Sequence, residues 1–117
     1  MVDIASIKKL QLERKEQLQN ALEHLLDQLK ELKVLKVVLF GSLNENNIDI
    51  NSDIDLLIIM PNSNPTKEWT NLIYENIERN VASDLVIYNL NDFEEMLPKS
   101  SFLQHIVDTG KILYEKT

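Results

Sequence analysis

The chain has 117 residues, a net charge of −7 (12 Lys+Arg against 19 Asp+Glu) and no cysteine. That length suits one domain with one core, residues 1–117, and the missing thiols exclude disulfides and thiolate metal sites. The acidic balance argues against general nucleic-acid binding, and no apolar run approaches the roughly 20 residues that cross a bilayer. Met1 to Leu10 also lacks the apolar segment of a signal peptide, so a cytoplasmic protein without membrane or direct nucleic-acid contact is expected. A nucleotide held at a local metal site, or a basic protein partner, stays compatible with this charge.

Residues 3–33 predict a long N-terminal helix. Leu18, Leu22, Leu25, Leu26, Leu29 and Leu32 recur at three- and four-residue steps and form one apolar stripe. Asp3 is placed to cap its start. Residues 13–17 are all polar, so the first part is expected to project from the domain or to meet a partner. Residues 34–117 then form the core of the domain.

Val34 to Phe40 is a short, β-branched-rich apolar run and reads as a buried strand. Gly41-Ser42 ends it. Residues 43–52 are rich in Asn and Asp, and a short helix followed by a turn is expected there. Asp53 to Met60 reads as a second strand, broken by Pro61-Asn62-Ser63-Asn64-Pro65. A helix is expected over Thr66 to Val81, with Thr66 as cap and Trp69, Leu72, Ile73 and Ile77 inward. Asp84 to Tyr88 reads as a third strand. Asp92 to Leu97 reads as a short helix stopped by Pro98, and Ser100 to Thr109 as a last helix with Gly110 as its C′ residue. Lys111 to Glu115 is a candidate edge strand. The order predicts an α/β (α+β) fold: a small mixed sheet with helices packed against it.

Asp53 and Asp55 stand at i and i+2 on the second strand and so share one face. Carboxylates that close repel unless a cation lies between them, and hard oxygen ligands favour Mg²⁺. Three features argue against a plain solvated strand entrance. The strand behind the pair is strongly apolar, Ser52 stands next to Asp53 as a hydrogen-bond partner, and Asp84 enters another apolar strand in a comparable position. Three carboxylates at strand ends can hold two divalent ions, which suits in-line phosphoryl or nucleotidyl transfer. Gly41 lets the backbone approach a ligand, and Ser42 adds a hydroxyl beside N–H groups suited to phosphate.

Leu39-Phe40-Gly41-Ser42, followed by Ser52-Asp53-Ile54-Asp55-Leu56, resembles the signature of the polymerase-β-like nucleotidyltransferase superfamily. Asp84-Leu85-Val86 is similar to its third-carboxylate strand, and Gly110-Lys111-Ile112-Leu113-Tyr114 to its closing segment. The resemblance covers roughly residues 30–115 and is nearest to the minimal nucleotidyltransferases, often antitoxins beside HEPN-domain ribonuclease toxins. It implies the polymerase-β-like fold and two Mg²⁺ ions bound by Asp53, Asp55 and Asp84. It also implies activation of an acceptor hydroxyl at Asp84, and binding of ATP or another NTP through Gly41, Ser42 and Ser52. The implied reaction is transfer of an NMP, AMP foremost, to a tyrosine of a partner HEPN toxin, with pyrophosphate leaving.

One departure from that pattern stands out. Many minimal members carry Ala-Arg-Gly where this chain has Asn44-Glu45-Asn46. An anion replaces a cation facing the triphosphate, at a cost on the order of 1 kcal/mol if Glu45 points inward. The alternative is therefore a catalytically weak module that neutralises or scaffolds a protein partner by binding alone. A homo-oligomer stays open, as does transfer to a small molecule, although the added helical domain of aminoglycoside nucleotidyltransferases is absent here. His24 and His105 read as helix-surface residues, Trp69, Tyr74 and Tyr88 as core or rim packing, and Glu94-Glu95 as a solvated face.

Overall fold

The computed structural model of the protein describes residues 4–41, 54–79 and 81–116. Helix α1 spans Ile4–Glu31 and strand β1 Lys36–Phe40. Strand β2 (Ile54–Met60), helix α2 (Thr66–Asn76) and strand β3 (Ser83–Asn89) follow. Helix α3 (Leu90–Met96), a 3₁₀ turn (Leu97–Lys99), helix α4 (Ser101–Thr109) and strand β4 (Lys111–Glu115) complete the order. The expected capping by Asp3 and the expected short helix after Ser42 lie outside the described residues.

The sheet has the order β3-β2-β1-β4. β1 pairs antiparallel with both β2 and β4, and β2 pairs parallel with β3. The sheet is thus mixed, as expected for this α+β class, and β2 lies inside it. Leu56 to Met60 are all buried, which explains an apolar run without alternation: a central strand covered on both faces needs none. β4 is an edge strand, as anticipated, and Gly110 leads into it.

Two apolar layers cover the sheet. On one face Ile54, Leu56, Ile58 and Met60 pack with Leu18, Leu25 and Leu29 of α1 and with Trp69 and Ile73 of α2. On the other, Val38 and Leu57 pack with Leu103 and Ile106 of α4. Each fully buried Leu or Ile contributes about 1.5–3 kcal/mol by leaving water, so the larger layer carries most of the stability.

Helix α1 is half anchor and half arm. Leu18, Ala21, Leu25 and Leu29 are buried, whereas residues 4–13 are exposed throughout. The arm gives the molecule extents of 53 × 30 × 24 Å. The helix ends two residues short of the expected boundary, at a Schellman turn. Lys33 takes φ 69°, its N–H donates to the Lys30 carbonyl (3.0 Å), and the Val34 N–H donates to the Leu29 carbonyl (3.2 Å). Val34 and Leu29 are both 1% exposed, the apolar contact that accompanies this motif. Lysine stands at a position where glycine is the usual signal.

Helix α2 stops at Asn76, five residues before the expected end. Ile77 leaves the helix with extended backbone and turns into the core. Gln28 of α1 then takes over the pairing of the next residue: the Glu78 N–H donates to Gln28 Oε1 (2.9 Å), and Gln28 Nε2 donates to the Glu78 carbonyl (2.9 Å). A long-range side chain thus replaces the next helical turn. Thr66 does not cap α2 either. Pro65 occupies the cap position without a side-chain bond, and the Thr66 hydroxyl instead donates to Asp92 (2.5 Å) while accepting from the Asn89 N–H (2.9 Å).

The end of β3 and the starts of α2 and α3 are tied together at that point. Asn89, 8% exposed, caps α3 by accepting from the Asp92 N–H (2.8 Å), and it donates to the Asn64 carbonyl (3.1 Å). Helix α3 therefore starts at Leu90, before the expected Asp92, and Pro98 falls inside the 3₁₀ turn after Met96. Ser100 caps α4 through the Leu103 N–H (3.1 Å). Gly110 is its C-cap, but with φ −72° rather than the left-handed conformation of a C′ glycine. Glycine is needed there for space: a Cβ would come within 2.5 Å of both the Ile106 carbonyl oxygen and Val38 Cγ1.

Candidate active site

The sheet register assembles the site. Asp55 of β2 is the Cα partner of Asp84 of β3 in the parallel ladder, and of Phe40 of β1 in the antiparallel one. Directly paired residues point to the same face, so Asp84, Asp55 and Phe40 form one row across three neighbouring strands. Neighbouring strands lie about 4.8 Å apart, which brings the two carboxylates within reach of one shared ligand. Asp84 is exposed and Asp55 half-buried. The row lies at the rim of the smaller apolar layer, where Phe40, Val86 and Tyr88 pack around Val38, Leu57, Leu103 and Ile106.

Gly41 follows Phe40 directly and takes φ +78°, a conformation that favours glycine. Its α-carbon faces the Asp55 side chain, and a Cβ would lie 3.0 Å from Asp55 Cγ and nearer still to its carboxylate oxygen Oδ2. The sequence suggests glycine here for phosphate approach. The structure gives a second reason: the backbone turn has to clear the Asp55 carboxylate. Glycine and carboxylate are parts of one arrangement.

Of the six residues expected in the site, the structure brings together Gly41, Asp55 and Asp84. Ser42, Ser52 and Asp53 lie outside the described residues, as do Glu45 and Asn46 of the divergent triplet. Among the described residues, no group of three or more His, Asp or Glu side chains gathers at metal distance. The hard oxygen donors of Asp55 and Asp84, open to solvent on one face, are of the type that takes Mg²⁺.

The residues set aside from the site stay away from it. His24 pairs with Glu78 (3.3 Å) on the surface beside α1, and His105 is exposed on α4. Trp69 is buried and donates from Nε1 to the Pro61 carbonyl (2.8 Å), while the Tyr74 hydroxyl donates to the Leu85 carbonyl (3.2 Å). Phe40 of the carboxylate row and its ring partner Phe102 escape sequence reasoning. Phe40 reads as the last residue of a core strand and Phe102 as a helix residue, yet their rings meet edge to face with centroids 5.8 Å apart. Only the register across the sheet puts Phe40 beside Asp55.

The family described as Polymerase beta, Nucleotidyltransferase matches residues 20–117. No curated protein gives a significant match to the sequence. Among solved structures, the chain is similar to a proposed nucleotidyltransferase from Sulfolobus solfataricus, with TM-score 0.60 and 14% identity. The similarity covers 92% of this chain and 88% of that one, and at this identity it speaks for the fold.

Proposed function

The chain belongs to the polymerase beta nucleotidyltransferase family, and from that premise we propose that it transfers an NMP, AMP from ATP foremost, to a protein hydroxyl in a Mg²⁺-dependent reaction. The observation that carries this reading is the shared face of Asp55 and Asp84, with Gly41 closed against Asp55. Asp53, Asp55 and Asp84 would hold two Mg²⁺ ions, which when bound neutralise charge on the attacking and departing oxygens. Asp84, exposed at the start of β3, would accept the proton of the acceptor hydroxyl. That oxygen then attacks the α-phosphorus, the bond from the α-phosphorus to the bridging oxygen breaks, and pyrophosphate leaves. Gly41, Ser42 and Ser52 would orient the triphosphate through backbone N–H and hydroxyl groups.

The proposed acceptor is a tyrosine of a HEPN-domain toxin, which makes the protein an antitoxin acting in the cytoplasm. The net charge of −7 supports a partner with a basic RNA-binding surface. A second reading, neutralisation of the same partner by binding alone, is favoured by Glu45 standing where many minimal members carry arginine.

A neutralisation assay separates the two. Wild type and the Asp53→Ala/Asp55→Ala variant are mixed with the proposed HEPN-domain partner, ATP and Mg²⁺, and ribonuclease activity is followed. Loss of neutralisation in the variant supports catalysis. Full neutralisation by the variant, with or without ATP, supports the binding module instead.

A further inference from the structure

The row of paired residues that carries Asp84 and Asp55 does not end at the carboxylates. Its next member is Phe40, and the ring of Phe102 from α4 stands edge to face with Phe40 at 5.8 Å and an interplanar angle of 86°. Two carboxylates and an aromatic thus follow one another across three strands, and a second aromatic packs against the first. Phe102 is 53% exposed, although α4 is already anchored by Leu103 and Ile106, each 1% exposed. Its ring is not needed to hold the helix down. Isolated exposed apolar side chains are ordinary, but this one meets Phe40, the paired neighbour of Asp55, at a defined angle.

We propose that Phe102, braced by Phe40, is the stacking platform for the base of the bound nucleoside triphosphate. The inference rests on the nucleotide reading of the Asp55–Asp84 site and adds where the base goes. A nucleotide whose phosphates lie at the carboxylates carries its base one ribose away. Phe40 lies one strand, about 4.8 Å, from Asp55, and Phe102 lies one ring contact beyond it. Because the base is tethered to the phosphates, a single aromatic face is enough to add affinity. Stacking needs only a π face, which every base has, so this platform selects weakly: purines bind better than pyrimidines, and ATP and GTP bind within a few-fold of each other. Phe102 is a positioning residue, remote from the reacting atoms.

The test compares calorimetric binding of ATP and of inorganic tripolyphosphate, each with Mg²⁺, to wild type, Phe102→Ala and Phe102→Trp. Phe102→Ala is expected to weaken ATP binding by about 5- to 150-fold, the usual range for loss of one base–aromatic stack, and to leave tripolyphosphate binding unchanged. Phe102→Trp restores ATP binding. Equal affinity of wild type and Phe102→Ala for ATP overturns the inference, as does an equal loss for both ligands. A wild type that binds tripolyphosphate no more weakly than ATP likewise overturns it, while leaving the phosphate site standing. A wild type that binds neither ligand removes the nucleotide reading and the platform together. Melting curves of the two variants control for folding, and the exposure of Phe102 predicts little change in them.

Discussion

Substituting Gly41 by alanine probes the tightest contact of the site. Two penalties add. Alanine at φ +78° sits in the left-handed region, at a cost of about 1 kcal/mol or slightly more. Its Cβ would also lie 3.0 Å from Asp55 Cγ, so the aspartate has to rotate away, and an off-rotamer side chain costs about 0.5–1.5 kcal/mol. The expected total is about 1.5–2.5 kcal/mol. For a 117-residue domain, 1 kcal/mol moves Tm by about 4 °C, so the melting point falls by about 6–10 °C. The two penalties separate in a double-mutant cycle measured by denaturant unfolding. In an Asp55→Ala background the carboxylate is gone, and Gly41→Ala is expected to cost about 1 kcal/mol less than in wild type. An identical cost in both backgrounds refutes the contact between glycine and carboxylate and leaves only the backbone effect.

Other outcomes follow from the same geometry. Gly110→Ala is expected to destabilise by about 2–4 kcal/mol by equilibrium unfolding, because one of its clashes is with the Ile106 backbone carbonyl, which cannot rotate away. Thr66→Val removes the hydroxyl that links Asp92 to the Asn89 N–H, and a loss of about 1–3 kcal/mol is expected on the same assay. Removal of residues 1–13 is expected to shift stability by less than about 1 kcal/mol, because residues 4–13 are exposed and the first buried side chain of α1 is Leu18. Added Mg²⁺ is expected to raise the Tm of wild type and to have little effect on Asp55→Asn/Asp84→Asn, since binding to the folded state alone stabilises it.

Much of the fold was legible because the local signals agreed with the tertiary ones. The leucine stripe of α1 and the uninterrupted apolar runs of β1 and β2 say locally what packing then requires. Boundaries were missed where a distant residue decided them. Gln28 ends α2 from another helix, 50 positions away in sequence, and Asp92 draws Thr66 out of its capping role. Lys33 takes a left-handed turn that a glycine would have announced. In the site, Gly41, Asp55 and Asp84 were legible as a group because each stands at the end of an apolar strand, and the register brings those ends together. The aromatic pair was hidden: neither Phe40 nor Phe102 differs in sequence from a packing residue, and only the pairing of β1 with β2 sets Phe40 beside Asp55, with Phe102 against it.

The most direct test of nucleotidyl transfer uses two labelled substrates side by side. ATP labelled at the α-phosphate, or at the γ-phosphate, is incubated with Mg²⁺, the proposed HEPN-domain partner, and either wild type or Asp55→Asn. Wild type is expected to put α-label, and no γ-label, on a tyrosine of the partner, and Asp55→Asn to put on neither. Absence of α-label with wild type, γ-label on the partner, or α-label that survives Asp55→Asn would refute nucleotidyl transfer at this site.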